Sequence, residues 1–155
     1  MFVVSAALAV SVFGTSSTGA AGEPPETFTE THHGLLEEFT DVFPTCDDGG
    51  ADYDISTVTN SVKHGTIFAD GRGHFTFTQT GTFTATPADD PTLPDASGRF
   101  TVRGGFNANG RTVNGTFTFS VRGVTDDGGR INFHLVGHFN ERPDGTVSEF
   151  FRCHD

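Results

Sequence analysis

The side chains in this sequence that could carry out chemistry are histidines and arginines within strand-like segments. They occupy the polar positions of an alternating pattern whose other positions are apolar or glycine, and they are His74, Arg99, Arg103, Arg122, His134 and His138. The four-residue spacing of His134 and His138 is that of zinc ligands on a helix. On a strand the same spacing covers about 13 Å, which is too far for two ligands of one ion. We therefore predict no metal site here, while a catalytic role for His74, His134 or His138 stays open.

An acidic segment from Asp47 to Asp54 is a second candidate site. It carries four carboxylates in eight residues, and carboxylate oxygens are the ligands that Ca²⁺ prefers. Their spacing does not match an EF-hand loop. We interpret the segment as a solvated turn, and we predict no cofactor.

No motif of a known catalytic type occurs in the sequence. A nucleophile elbow, a phosphate-binding loop and a dinucleotide fingerprint are all absent. The two cysteines, Cys46 and Cys153, are too far apart in the chain for a Cys-x-x-Cys redox motif, and we predict that they form a disulfide. Whether the protein is an enzyme is therefore left open by the sequence.

The elements that must position these residues are strands. In residues 73–86 glycine, phenylalanine and alanine alternate with histidine and threonine, which is the pattern of a strand with one buried face. Similar patterns and turn residues predict about eight strands, at 27–32, 35–43, 53–69, 73–86, 98–106, 111–124, 130–140 and 146–153. Residues 35–43 also fit one face of a helix, but a strand agrees better with the rest of the chain. The strand at 53–69 is expected to be bent or bulged, because its alternation slips between Ile55 and Val58.

Joined mostly by short hairpins, these strands predict an all-β, antiparallel, closed up-and-down barrel of the lipocalin or dirigent type. Closure would remove the exposed edges of Phe- and Thr-rich strands. A glycine precedes a phenylalanine by two residues at Gly81, Gly104, Gly115 and Gly137, which suggests coiled strands whose glycines are covered by rings. Inside the barrel we expect few polar groups, only Gln79 and Glu149.

The first 21 residues read as a secretory signal peptide, and residues 22–155 as a single β-barrel domain. Residues 2–13 are apolar and small residues follow them, although no Lys or Arg precedes the run. The predicted location is therefore secreted and extracellular. The formal net charge of −11 argues against nucleic acid and membrane partners, because both present negative charge.

Several segments resemble those of a group of small secreted β-rich proteins from actinobacteria. These are the leader, residues 27–31 (TFTET), Cys46 after VFP, residues 115–123 (GTFTFSVRG) and residues 130–139 (RINFHLVGHF). The resemblance implies export from a Gram-positive cell. It implies no activity and no functional residue, because the group has no assigned function.

Three functions fit the predicted barrel. The sequence favours the first, binding of a small apolar ligand by inward side chains, because two inward polar groups are too few for catalysis; for this site we single out Phe75, Phe77, Phe117, Phe119 and Phe133. The second is a barrel enzyme similar to allene oxide cyclases and dirigent proteins, an analogy at the level of fold. The third is a filled barrel that acts through its outer surface. A filled interior would favour the third, and buried polar groups the second.

Overall fold

The computed structural model describes residues 24–43, 50–109 and 112–154, which form seven strands and no helix. The strands are β1 (Glu26–Val42), β2 (Asp52–Ile67), β3 (Gly73–Pro87), β4 (Ala96–Ala108), β5 (Val113–Thr125), β6 (Arg130–Glu141) and β7 (Val147–His154). All seven belong to one antiparallel sheet, in which every strand pairs with its neighbours in the sequence. The prediction of an all-β antiparallel fold is confirmed. No helix able to span a membrane occurs within the described residues.

The alternation in the sequence corresponds to two faces of this sheet. We call the side that carries Phe83 the inward face and the opposite side the outward face. In β3 the outward threonines are exposed, whereas the inward residues are buried or half-buried. The register carries this division from strand to strand, since Phe83 pairs with Gly98 and Thr82 with Arg99. All eight phenylalanines predicted to be interior lie on the inward face, at positions 75, 77, 83, 100, 117, 119, 133 and 139. Only Phe83 and Phe133 are fully buried, and the other six are half-buried.

The best-buried part of the molecule lies at one end of the inward face. Tyr53, Phe83 and Phe133 form a cluster there with alanine and valine side chains from β3, β4 and β5. Phe43 and Leu93 pack against this cluster from the connections that follow β1 and β3. The Tyr53 hydroxyl donates a hydrogen bond to the Pro94 carbonyl oxygen at 3.2 Å, which fixes the 88–95 loop across the cluster. Since the described residues contain one sheet and no helix, the sheet must curl around its own inward face to bury these rings.

Glycines on the inward face lie opposite phenylalanines of the next strand, as the Gly-x-Phe spacing suggests. Gly137 pairs with Phe117 and Gly115 with Phe139. A Cβ atom added at Gly137 or Gly115 would lie 2.5 Å from the ring of its partner. The rings thus occupy the volume that larger side chains would fill, and the prediction of ring-covered glycines is confirmed.

The first two predicted strands are one strand with a bulge. The sequence suggests that Gly34 ends a strand at 27–32, but β1 continues through it to Val42. Two residues of β1, His33 and Gly34, lie opposite the single residue Asn60, and the register shifts there. Gly34 has φ +64°, a conformation that glycine adopts at little cost, and its amide donates to the Asn60 side-chain oxygen at 3.1 Å. The strand prediction for residues 35–43 is therefore correct over 35–42, and the break at Gly34 is wrong.

The bulge expected in β2 is also wrong. Ile55 and Val58 lie in a continuous ladder with β3, and Val58 simply faces outward, with 44% of its surface exposed. The slip in the apolar pattern comes from Thr57 and Thr59, which occupy inward positions and are buried.

The closed barrel is not confirmed. β1 and β7 are the two edges of the sheet, and within the described residues they make no contact with each other. The strand count gives the reason: in a seven-stranded meander the first and last strands run in the same direction. They could close only as a parallel pair, whereas eight strands would have brought an antiparallel pair together.

Three hairpins share one kind of turn. Residues 69–71, 126–128 and 143–145 each end in Asp-Gly, and the glycines Gly71, Gly128 and Gly145 have φ between +79° and +92°. These are three-residue loops with glycine in the left-handed conformation. In each turn the aspartate accepts a hydrogen bond from the backbone amide two residues later. The turns expected at these positions are confirmed.

Several predictions fall wholly or partly outside the described residues. The leader 1–21 and Cys46 both lie there, so export and the Cys46–Cys153 disulfide stay predictions. Cys153 itself lies on the inward face of β7, opposite Leu135, where it packs against the buried cluster. No cysteine among the described residues is free.

Candidate functional site

The five phenylalanines predicted to bind a ligand share the inward face but do not surround one space. Phe119 packs edge-on against Phe133, with ring centroids 5.7 Å apart. Phe75 stacks on Phe106 at 4.6 Å, toward the start of β3 and the end of β4, away from the buried cluster. Phe77 and Phe117 both cover Gly104. The rings are therefore largely engaged with each other and with glycines.

The inward face holds more polar groups than the alternation in the sequence predicts. Besides Gln79 and Glu149, the register places Lys63 there, over the rings of Phe28 and Phe75 at 5.6 and 5.9 Å. Its ammonium group lies 3.9 Å from Glu30. Thr59 is 2% exposed, and its hydroxyl has no hydrogen-bond partner within the described residues. Nothing in the alternation of β1 and β2 signals these groups, because polar residues there occupy both faces.

The outward face of β3–β7 concentrates positive charge. We call this surface the basic face and define it by its cationic and imidazole side chains, all exposed: Arg99, Arg103, Arg122, Arg130, Arg152, His74, His134, His138 and His154. Five of the nine Lys and Arg residues of the chain are among them. No outward residue of these five strands is acidic; their two glutamates, Glu141 and Glu149, occupy inward register positions. The predicted sharing of one face by His74, Arg99, Arg103, Arg122, His134 and His138 is confirmed.

Two arginines of the basic face lie directly beside each other, and none of its five arginines forms an ion pair with a carboxylate within the described residues. Arg99 pairs directly with Arg122 across β4 and β5. Within the described residues, ion pairs form only between Lys63 and Glu30 and between Arg72 and Asp70, away from this face. Like charges placed directly opposite each other destabilise a sheet. The arrangement therefore has a cost that no contact within the described residues offsets.

A shallow hollow of about 460 Å³ opens in the middle of the basic face. Its floor is at Gly105, where the absence of a side chain leaves room, and its outward lining is Thr76, Arg103, Thr116, Thr118, Val136 and His138. A Cβ atom at Gly105 would lie 2.9 Å from the backbone carbonyl oxygen of Phe75. The close approach of β3 and β4 therefore requires glycine, and the same glycine creates the hollow.

Two histidines of the basic face have polar neighbours on adjacent strands. The Nδ1 atom of His74 lies 2.7 Å from the Asn107 side-chain oxygen, and Nδ1 of His134 lies 2.8 Å from the Ser120 hydroxyl. These contacts orient the imidazoles along the sheet. None of the histidines lies in a group of three metal-ligating side chains within the described part of the chain.

Negative charge collects at the end of the sheet that carries the 88–95 loop. Burial raises the pKa of the Tyr53 hydroxyl above its usual value, and the nearby carboxylates of Asp95, Asp126 and Asp127 add to the increase. A second hollow of about 220 Å³ opens beside Asp95 and Asp126. The acidic segment discussed as a calcium site lies partly outside the described residues.

Comparison of the chain with known protein families, with curated proteins and with solved structures finds no match. The resemblance to small secreted proteins accordingly stays a prediction. Within the described residues, the basic face with its central hollow is the surface where exposed cations, hydroxyls and a depression occur together.

Proposed function

We propose that this protein is a binding module whose basic face holds an acidic polysaccharide. The observation that carries the proposal is the separation of charge. A chain with formal net charge −11 presents five exposed arginines on one face of β4–β7, without an acidic residue among the outward side chains of those strands. This corresponds to the third function considered from the sequence, action through the outer surface.

Arginine is suited to this role. Its planar guanidinium group binds a carboxylate or sulfate through two parallel hydrogen bonds, and it carries its charge at every relevant pH. A ligand carboxylate between Arg99 and Arg122 would also relieve their mutual repulsion. Relief of this repulsion would then add to the affinity for the ligand.

The uncharged residues of the basic face favour a polysaccharide over other anionic polymers. Threonine, serine and asparagine fill most of the remaining outward positions, and Thr80, Thr101 and Ser120 form a continuous row with His134 and His154. Hydroxyl and amide groups of this kind hydrogen-bond to sugar hydroxyls. Nucleic acid bases would instead need aromatic stacking platforms, and within the described residues this face has a single benzene ring, Phe150.

The proposal is tested by measuring binding of the protein to polygalacturonate, with uncharged dextran and duplex DNA as comparison polymers. The decisive variant replaces Arg99 and Arg122 with serine. Its matched control replaces Arg72 and Arg142, two turn arginines, with serine, so that both variants change the net charge equally. Exposed charge pairs contribute about 0.2–1 kcal/mol each, so the first variant should bind about 2- to 30-fold more weakly and the control as tightly as the native protein.

Binding should weaken as salt is raised, because the interaction is between exposed charges. Dextran should not bind. Equal losses of affinity in the two variants would refute a role for the basic face. Tighter binding of duplex DNA than of polygalacturonate would show that the ligand is not a polysaccharide. Failure of the native protein to bind any acidic polysaccharide at low salt would overturn the proposal itself.

Binding of a small apolar ligand on the inward face remains a second candidate. Its support is that Phe75, Phe77, Phe117 and Phe119 are only half-buried, so parts of their rings stay accessible, and that Lys63 supplies a polar contact beside Phe75. Fluorescence titration with an apolar dye tests it. Phe77→Ala should reduce dye binding, whereas Phe150→Ala on the outward face should not; equal effects would argue against an inward site.

We also propose that the protein is exported and that Cys46 and Cys153 form a disulfide. A leader removed near residue 21 would release the protein outside the cell, where acidic polysaccharides occur as surface and matrix polymers. A Cys46–Cys153 bridge would tie the connection between β1 and β2 to β7, the far edge of the sheet. The inward position of Cys153 against the buried cluster supports such a bridge.

A further inference from the structure

We propose that the hollow at Gly105 is a subsite that binds one uronic acid residue of the polysaccharide, with its carboxylate on Arg103. The inference rests on the proposed function and specifies where one sugar of the polymer binds on the basic face. At this position an exposed arginine, Arg103, borders a depression of about 460 Å³, a volume within the range of small-molecule sites.

The register shows how the lining is arranged. Thr76, Gly105, Thr116 and His138 form one row across β3–β6, and Thr78, Arg103, Thr118 and Val136 form the next. The floor at Gly105 is thus bordered by a cation on its own strand and by hydroxyls on both neighbouring strands. His138 closes the far side, with its ring 6.4 Å from that of Phe150.

Each part of a uronic acid has a matching group in this lining. Arg103 has no carboxylate partner within the described residues, so its guanidinium group is available for the carboxylate of the sugar. The Thr76 and Thr116 hydroxyls and the His138 imidazole are positioned for the ring hydroxyls. Val136 offers an apolar contact for the C–H face of the ring. The other arginines would contact neighbouring sugars along the polymer.

The subsite is tested with a short probe, trigalacturonate, which can fill the hollow without covering the whole basic face. In NMR titrations of the native protein, the Val136 methyl groups and the Gly105 amide should shift with trigalacturonate and not with an uncharged trisaccharide. Arg103→Ser should weaken trigalacturonate binding by about fivefold, the upper end of what one exposed charge pair contributes, since it removes a bidentate charged contact.

A second variant fills the hollow without changing charge. Thr116→Tyr places a ring over Gly105 from an exposed position, and it should also weaken trigalacturonate binding by about tenfold or more. Arg142→Ser is the matched control, because Arg142 lies in the turn between β6 and β7, outside the basic face, and its loss changes the net charge by the same amount. It should leave trigalacturonate binding within about twofold.

The outcomes separate this inference from the proposed function. If Thr116→Tyr binds trigalacturonate like the native protein, or if Arg142→Ser and Arg103→Ser lose it equally, the subsite is wrong while the basic face can still bind the polymer. NMR shifts on adding trigalacturonate that are confined to residues outside the hollow would also show that the subsite is wrong. If native protein binds neither trigalacturonate nor polygalacturonate, both proposals fall.

Discussion

Because phenylalanine rings cover the inward glycines, we predict that the effect of one glycine substitution on stability changes sign when the covering ring is removed. Gly137 lies opposite Phe117, and a Cβ atom there would be 2.5 Å from two ring carbons, whereas carbon atoms normally approach to about 3.5–4.0 Å. The ring has little room to move, because Phe151 packs against it with centroids 6.1 Å apart. Gly137→Ala should therefore cost about 1–3 kcal/mol, as overpacking does.

In the Phe117→Ala variant, the ring that would collide with a side chain at position 137 is absent. Gly137 does not have positive φ, so alanine fits its backbone and should now stabilise the protein by about 0.4–1 kcal/mol through the unfolded chain. The two substitutions are thus coupled by about 1.4–4 kcal/mol. Urea unfolding followed by circular dichroism, on both single variants and the double variant, measures the coupling.

The control cycle pairs Gly137→Ala with Phe150→Ala. Phe150 lies on the outward face with 59% of its surface exposed, so these two effects should add within about 0.5 kcal/mol. If Gly137→Ala destabilises equally with and without the Phe117 ring, the ring does not occupy the space above the glycine, and the account of the inward face is incorrect.

Two further predictions concern stability, and a third concerns the disulfide. Phe133→Ala, at a side chain 5% exposed, should cost about 3–5 kcal/mol, and Thr118→Ala within about 1 kcal/mol; similar losses in urea unfolding would show that the faces are misassigned. Hydrogen bonds from Thr125 and the Gly129 amide hold the pKa of Asp127 below its usual value, so its stabilising effect is present above about pH 4 and lost as pH falls through the lowered pKa. Asp127→Asn should make stability fall less steeply in acid than in the native protein, with Asp126→Asn as the control, and unchanged acid unfolding would contradict this. Cys46 and Cys153 should resist alkylation until a reductant is added, and modification of both thiols without reductant would disprove the disulfide.

The sequence is most informative where one residue type marks one face. From β3 to β7 phenylalanine or another apolar residue alternates with threonine, arginine or histidine, so strand identity, register parity and the composition of the basic face can all be read directly. The Asp-Gly turns are equally clear, because glycine supplies the positive φ that the three-residue loop requires.

The sequence is least informative in β1 and β2. Gly34 reads as a break because glycine weakens a strand, but a glycine in the left-handed conformation can also insert a bulge and let the strand continue. That single misreading changes the strand count from seven to eight, and with it the relation between the two edges. The hollow at Gly105 cannot be read from the pattern either, since it depends on which side chains from four strands adjoin one glycine.

The simple strand order has a consequence for how the chain folds. Every ladder joins strands that are adjacent in the sequence, so the sheet can assemble one hairpin at a time without threading or waiting for distant segments. Topologies with local contacts fold faster than those whose partners are far apart in the chain. Three of the connections are three-residue turns that close at little entropic cost, whereas the connection between β3 and β4 spans residues 88–95 and depends on Tyr53 and Pro94 for its position. We expect β5, β6 and β7 to form the folding nucleus, with the β3–β4 ladder completed afterwards.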